Sequence, residues 1–119
     1  MSNRSVIAVL AGAALVVGTA VVAHGQDAKA GKAVYESKKC ASCHGESGAG
    51  DGAMGQKLKD KPSNWTAGGG GLKGMDDQQI SDSIKKGGAA VGKSKLMPAS
   101  KLSDKELSDV VAYVKSLKK

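Results

Sequence analysis

The feature that most constrains this chain is the pentapeptide Cys40-Ala41-Ser42-Cys43-His44, which contains its only two cysteines. Two thiols three positions apart, followed at once by an imidazole, form the pattern C-x-x-C-H. Each thiol of this pattern can form a thioether bond to one vinyl group of a haem, and the histidine then binds the iron. The pentapeptide therefore predicts one covalent haem c, attached through Cys40 and Cys43, with His44 as the proximal iron ligand.

Two other interpretations of the cysteine pair find no support in the rest of the sequence. A thioredoxin-like redox pair belongs next to a βαβ unit, whereas the chain shows no strand-like alternation of apolar and polar residues. A zinc site needs more ligands, and the other histidine, His24, falls within a predicted export signal. A disulfide across two intervening residues would close a very short loop and stabilise little.

The first 25 residues have the pattern of an export signal. Arg4 supplies a positive charge, residues 6–22 are apolar and uncharged, and Ala23-His24-Gly25 places small residues where signal peptidase cleaves. We therefore expect a signal peptide over residues 1–25, a haem domain over residues 26–119, and a periplasmic location. The alternative is an uncleaved membrane anchor formed by residues 6–22, which fall just short of a usual transmembrane span.

The composition suggests a core that is completed by something other than side chains. The chain has 17 glycines, one tryptophan, two tyrosines and no phenylalanine, and so small a domain often depends on a prosthetic group. The formal net charge of +7 favours acidic protein partners. Nucleic acid is not an expected partner, because Arg4 is the only arginine and few aromatic rings are present to stack on bases.

Three segments have helical periodicity. Asp27 is a candidate N-cap of the first helix, and the pairs Asp76 with Gln79 and Ser103 with Glu106 resemble capping boxes of the other two. The predicted bounds are about residues 27–39, 76–86 and 104–118. The glycine-rich passage between the first two helices is predicted to be a loop with one short helical turn near residues 54–59.

Residues 87–94 match the nucleotide-binding pattern G-x-x-x-x-G-K-[ST] through Gly87, Gly92, Lys93 and Ser94. A phosphate-binding loop of this kind follows a buried strand and opens a helix. Here a predicted helix precedes the match and Pro98 soon follows it. We therefore predict no nucleotide binding and interpret the match as chance in a chain rich in glycine and lysine.

The second axial ligand is expected to be a methionine, because His/Met ligation raises the reduction potential of an electron-transfer haem. Met54 follows His44 by only ten residues, too few to reach the opposite face of the haem. Met75 precedes the second predicted helix and remains an alternative. Met97 is favoured, because Pro98 stiffens its loop and its distance along the chain from His44 allows the backbone to cross the haem.

Three stretches of the chain resemble the single-haem class I c-type cytochromes in content and in order: "GKAVYESKKCASCHGESGAGDGAMG", "KLMPAS" and "KLSDKELSDVVAYVKSLKK". The resemblance covers nearly all of residues 26–119. It implies an all-α class I cytochrome c fold, with three main helices wrapped around one covalently attached haem. It also implies that Gly31 allows close approach of the last helix, with Tyr35 and Tyr113 packed nearby.

The same resemblance implies roles around the iron. Cys40 and Cys43 would hold the haem, with His44 proximal and Met97 distal. A backbone carbonyl, for which Pro62 is the best counterpart, would accept a hydrogen bond from the proximal imidazole. Trp65 would either cover a haem edge or propionate or be part of the core.

These expectations describe a periplasmic electron carrier rather than an enzyme. Exposed lysines near the haem edge would steer it onto acidic docking surfaces of redox partners, the candidates being Lys38, Lys39, Lys93 and Lys95. One alternative is a haem c subunit of a membrane oxidase or periplasmic dehydrogenase complex, with a membrane contact if the N-terminal segment is retained. A further alternative is a small-ligand haem sensor, which requires that Met97 leave the iron open.

Overall fold

The computed structural model describes residues 26–66 and 70–118, together with Gly12. The predicted signal or anchor therefore lies, apart from Gly12, outside the described residues. Within the described ranges no strand occurs and the helices are α1 (Ala28–Ser37), α2 (Ala41–His44), α3 (Asp77–Lys86) and α4 (Asp104–Leu117). Two 3-10 turns, Gly55–Lys57 and Gly88–Val91, complete the regular structure. The all-α fold with three main helices is confirmed.

None of the helices in the described ranges combines the length and the apolar character needed to cross a membrane. The apolar run over residues 6–22 is not covered by this finding.

Helix α1 begins as the sequence predicts and ends earlier. The side chain of Asp27 accepts hydrogen bonds from the backbone N–H groups of Lys29, at 2.9 Å, and Ala30, at 3.2 Å. The helix ends at Ser37 rather than at Lys39, because Lys39 takes a φ of +60°, which a continuing α-helix does not allow. This sharp turn redirects the chain into α2, which together with the preceding residue Cys40 forms the C-x-x-C-H motif.

Both predicted capping boxes are confirmed. In α3 the Asp76 carboxylate accepts from the Gln79 N–H at 2.8 Å, and the Gln79 side chain accepts from the Asp76 N–H at 2.9 Å. In α4 the Ser103 hydroxyl accepts from the Glu106 N–H, and the Glu106 carboxylate accepts from the Ser103 N–H, both at 3.1 Å. Gly87, with a φ of +89°, ends α3 as predicted.

Helices α1 and α4 form the most extensive contact between elements. A Cβ atom on Gly31 would collide with the Asp109 carbonyl and lie 2.9 Å from Tyr113 Cβ. The Tyr35 and Tyr113 rings meet edge to face with centroids 5.2 Å apart. The buried Asp109 carboxylate also accepts from the backbone N–H of Asp27 at 3.0 Å. Close packing around Gly31, implied by the family resemblance, is therefore present.

The core is small and consists mostly of aliphatic side chains. Tyr35 is its largest fully buried member, and its hydroxyl donates to the Gly45 carbonyl at 2.6 Å. Burial raises the pKa of Tyr35 above its usual range, so the hydroxyl stays a donor. The buried apolar residues are Tyr35, Leu72, Ile80, Ile84, Val110, Val111 and Val114.

Candidate functional site

A cavity of about 290 Å³ lies beside this core. All four residues predicted to hold the haem and its iron line it: Cys40, Cys43, His44 and Met97. Its volume lies near the lower limit of small-molecule sites. The fold therefore brings together side chains that are widely separated in sequence.

Helix α2 presents both thiols and the imidazole to the cavity. Cys40 is the residue before the helix, Cys43 and His44 lie within it, and the His44 N–H donates to the Cys40 carbonyl at 2.9 Å. Both cysteines are half-buried free thiols. Burial raises the pKa of the Cys40 thiol. The helix thus keeps two unpaired thiols on the wall that also carries the imidazole.

The surroundings of His44 favour the neutral form of its imidazole. Its Nδ1 atom is buried and has no hydrogen-bond partner among the described residues. Burial lowers the pKa of His44 to about 4, because charging the ring away from water is unfavourable. At neutral pH the imidazole is therefore uncharged, which is the form that binds a metal ion.

The hydrogen bond expected from His44 to the Pro62 carbonyl is not formed. The Pro62 carbonyl instead lies against the backbone of Gly50, where a Cβ atom would collide with it. The indole ring of Trp65 stacks on the His44 imidazole, with centroids 4.4 Å apart and planes inclined by 25°. Sequence reasoning missed this stacking, since nothing local to Trp65 indicates which ring it meets.

The loop that carries Met97 is fastened to the end of α3. The Met97 carbonyl accepts from the Gly88 N–H at 2.9 Å, and the Ser100 N–H donates to the Ile84 carbonyl at 2.9 Å. A Cβ atom on Gly88 would collide with the Ser94 carbonyl and lie 3.2 Å from Met97 Cβ, so the close approach of the loop depends on glycine. These contacts hold the half-buried Met97 at the cavity wall.

The same contacts explain why residues 87–94, which match the nucleotide-binding pattern, do not form a phosphate-binding loop. A phosphate-binding loop needs several backbone N–H groups that point at the ligand. Here the Gly88 N–H is bonded to the Met97 carbonyl, and the Lys93 N–H is bonded to the Gly88 carbonyl at 2.8 Å. The stretch also follows helix α3 rather than a strand.

Two of the other methionines differ sharply in position. Met54 is 53 % exposed and does not line the cavity, in agreement with its rejection as a ligand. Met75 is half-buried and lines the same cavity as Met97. The cavity therefore offers two thioethers, and Met75 remains the alternative to Met97.

The cavity mouth is lined by exposed charged side chains, four lysines and Asp60. Lys38, Lys39 and Lys93, three of the four predicted docking residues, line it, whereas the exposed Lys95 does not. Lys61 also lines the mouth and was missed, because its position depends on how the glycine-rich passage folds back.

The lining suits a haem with covalent attachment. Two free thiols and a neutral imidazole occupy one wall, and apolar side chains such as Leu72, Ile80 and Ile84 occupy others. The remaining polar groups of the lining include the lysines at the mouth. This donor set matches a group that needs two thioether bonds, a nitrogen ligand and a sulfur ligand.

Comparison with known proteins identifies a family. The family model described as Cytochrome c matches residues 28–118. The match begins at the first residue of α1 and ends one residue beyond α4, so it includes every described helix. Searches of curated proteins and of solved structures each returned no match.

Proposed function

Because the chain belongs to the cytochrome c family and binds covalent haem c, we propose that it is a periplasmic electron carrier with His44 and Met97 as axial iron ligands. Electron transfer on haem follows from the family itself. The location, the ligand pair and the partners are the parts that the proposal adds. Cytochrome c domains are typically exported, which supports the periplasmic location suggested by residues 1–25.

The observation that carries the proposal is the convergence of Cys40, Cys43, His44 and Met97 on one cavity. Two thiols would attach the haem, and the imidazole and thioether would complete the coordination of the iron. An iron with two side-chain ligands is suited to electron transfer rather than to binding of a small molecule. A carrier is therefore favoured over an enzyme or a sensor.

When bound, the haem supplies an iron that accepts and releases one electron. The chain's own contribution is to hold the haem, to orient it and to shield it from water. The buried side chains of Leu72, Ile80 and Ile84 give the cavity an apolar wall and exclude water there. Met97 is kept in place through the backbone bonds of its loop to α3.

Replacing Met97 with alanine is expected to abolish the weak long-wavelength absorption band that a methionine–iron bond gives in the oxidised protein. The reduction potential should fall at the same time, because the thioether ligand that raises it is lost. The measurement is an absorption spectrum of the haem-loaded protein, followed by a redox titration.

Two matched variants complete the test. Met54→Ala removes an exposed thioether outside the cavity and should leave the band unchanged. Met75→Ala removes a thioether that lines the cavity and should also leave the band, if Met97 is the ligand. Loss of the band in Met75→Ala with retention in Met97→Ala would transfer the ligand role to Met75.

The lysines at the cavity mouth form the docking surface in this proposal. Lys39 and Lys93 are exposed and line the mouth, and Lys38 lies 3.9 Å from the Glu106 carboxylate, which offsets part of its charge. Positive charge around the haem opening would steer the protein onto acidic surfaces of its redox partners.

Lys93→Glu is expected to slow electron transfer to an acidic redox partner on the order of tenfold at low salt. The difference from the unaltered protein should shrink as salt screens the interaction. Lys29→Glu is the matched control: it makes the same charge change at an exposed position of α1 that does not line the cavity. Equal slowing by both variants would show that only the net charge matters and would remove the docking surface.

A further inference from the structure

We propose that the Tyr35 hydroxyl is a positioning group for the proximal ligand: through its hydrogen bond to the Gly45 carbonyl it fixes the backbone that leaves His44, and with it the direction of the imidazole. This inference rests on the proposed role of His44 as an iron ligand. It gives the hydroxyl of a fully buried tyrosine a role beyond packing in the core.

The chain turns sharply directly after the histidine. Gly45 is buried and has a φ of +82° and a ψ of 162°, a conformation that residues with a side chain rarely adopt. Its N–H donates to the Ala41 carbonyl at 2.9 Å, which closes helix α2. A group that holds the Gly45 carbonyl therefore limits how far the backbone next to His44 can move.

Two donors among the described residues reach the Gly45 carbonyl, and they differ in length and in origin. The Tyr35 hydroxyl donates at 2.6 Å, shorter than the usual O–H···O bond, whereas the Gly48 N–H donates at 3.3 Å. The bond from Gly48 lies within the same loop and would move with it. The bond from Tyr35 comes from α1, so it ties the loop to the packed helices.

Tyr35 can act as a support because its own ring is fixed. The residue is only 1 % exposed, and its ring meets that of Tyr113 on α4 edge to face at 5.2 Å. Burial raises the pKa of Tyr35, so the hydroxyl keeps its proton and remains a donor at neutral pH. The position of its oxygen is therefore set by the contact between α1 and α4.

The backbone of His44 is bonded within the segment that contains it. Its N–H donates to the Cys40 carbonyl at 2.9 Å, and its carbonyl accepts from the Gly50 N–H at 2.8 Å. These bonds maintain the local shape but do not connect the segment to α1 or α4. The Tyr35 hydroxyl supplies such a connection at the residue that follows the histidine.

Tyr35→Phe removes this connection and keeps the buried ring. The Gly45 carbonyl would then retain the longer bond from Gly48, and a buried carbonyl that loses its better donor favours a backbone shift that finds another. Because Gly45 directly follows His44, we expect the shift to turn the imidazole. The expected change is therefore in the geometry of the ligand and not only in stability.

NMR spectroscopy of the haem-loaded protein in the oxidised state tests the proposal, because the haem-methyl resonances report the plane of the axial imidazole. Tyr35→Phe should change their pattern. Tyr113→Phe is the matched control: it deletes the same atom from the partner ring, whose hydroxyl reaches the Glu46 carbonyl at only 3.4 Å, and should preserve the pattern. A preserved pattern in Tyr35→Phe would overturn the proposal.

A second control separates positioning from loss of stability. Val111 is fully buried and does not line the cavity, so Val111→Ala should lower the midpoint of thermal unfolding and leave the haem-methyl pattern unchanged. A pattern that changes equally in Val111→Ala and Tyr35→Phe would show that it follows stability alone. The positioning role of the hydroxyl would then be withdrawn.

Failure of the underlying ligand assignment would look different. If His44 binds the iron, its ring protons in the reduced protein are shifted strongly by the haem, with or without the Tyr35 hydroxyl. Unshifted His44 protons would sink the proposed ligation and this inference together. Shifted protons, combined with a haem-methyl pattern that Tyr35→Phe does not alter, would sink this inference alone.

Discussion

Replacing both Cys40 and Cys43 with alanine is expected to yield a chain from which all haem is removed by acidified organic solvent. The haem of the unaltered protein should stay with the chain under the same treatment, because thioether bonds survive denaturation. Each single variant keeps one thiol on the cavity wall and should retain one bond. The measurement is the haem absorbance that remains with the denatured chain.

The double variant should also lose much of its helical structure once it is free of haem. The haem is expected to fill the cavity of about 290 Å³, and a cavity of this size left empty or filled with water removes a large share of the packing that stabilises so small a domain. The whole stability of a small domain is about 5–15 kcal/mol. Circular dichroism of the haem-free chain should therefore show a large loss of helix relative to the loaded protein.

Ser42→Ala is the matched control for this experiment. Ser42 lies inside the motif and is exposed, and its replacement leaves both thiols and the imidazole intact. This variant should carry covalent haem in normal yield. Haem that resists extraction from the double cysteine variant would show that another residue forms the covalent bond.

Features that depend on a few neighbouring residues could be predicted from the sequence. A capping box is complete within four residues, so Asp76 with Gln79 and Ser103 with Glu106 were recognisable before the structure was known. The end of α1 was misplaced by two residues, because nothing in a lysine indicates that Lys39 will take a positive φ.

The residues of the site could be predicted from the sequence, whereas several of their contacts could not. The motif identifies the thiols and the imidazole by type and spacing alone. The stacking of Trp65 on His44 and the position of the Pro62 carbonyl beside Gly50 depend on how a long glycine-rich loop folds back on α2. Such loops contain no periodic signal, so sequence reasoning could offer Pro62 only as the family counterpart.

The sequence also does not decide between Met97 and Met75 as the second ligand of the iron. Both side chains line the cavity, although Met75 precedes α3 and Met97 follows it. The backbone bonds from Gly88 and to Ile84 hold the Met97 loop in place, which supports the prediction without testing it. Only coordination to the iron separates the two, which is why the spectroscopic variants matter.

Gly31→Ala is expected to destabilise the protein by about 1–3 kcal/mol, the usual cost of overpacking. In an isolated helix this change would stabilise by about 1 kcal/mol, because glycine is the poorer helix former. Here the added methyl group would meet the backbone carbonyl of Asp109, which cannot move without shifting α4. The expected sign is therefore opposite to that of helix propensity.

Thermal or denaturant unfolding of the haem-loaded protein measures this effect, and Ala33 supplies the control. Ala33 is exposed on α1, so Ala33→Gly should cost about 1 kcal/mol through propensity alone. Gly31→Val should be more damaging than Gly31→Ala, since its larger side chain must enter the same contact between Gly31, Asp109 and Tyr113. A stabilising Gly31→Ala would mean that α1 and α4 can separate freely, and the close approach would then have no energetic role in the fold.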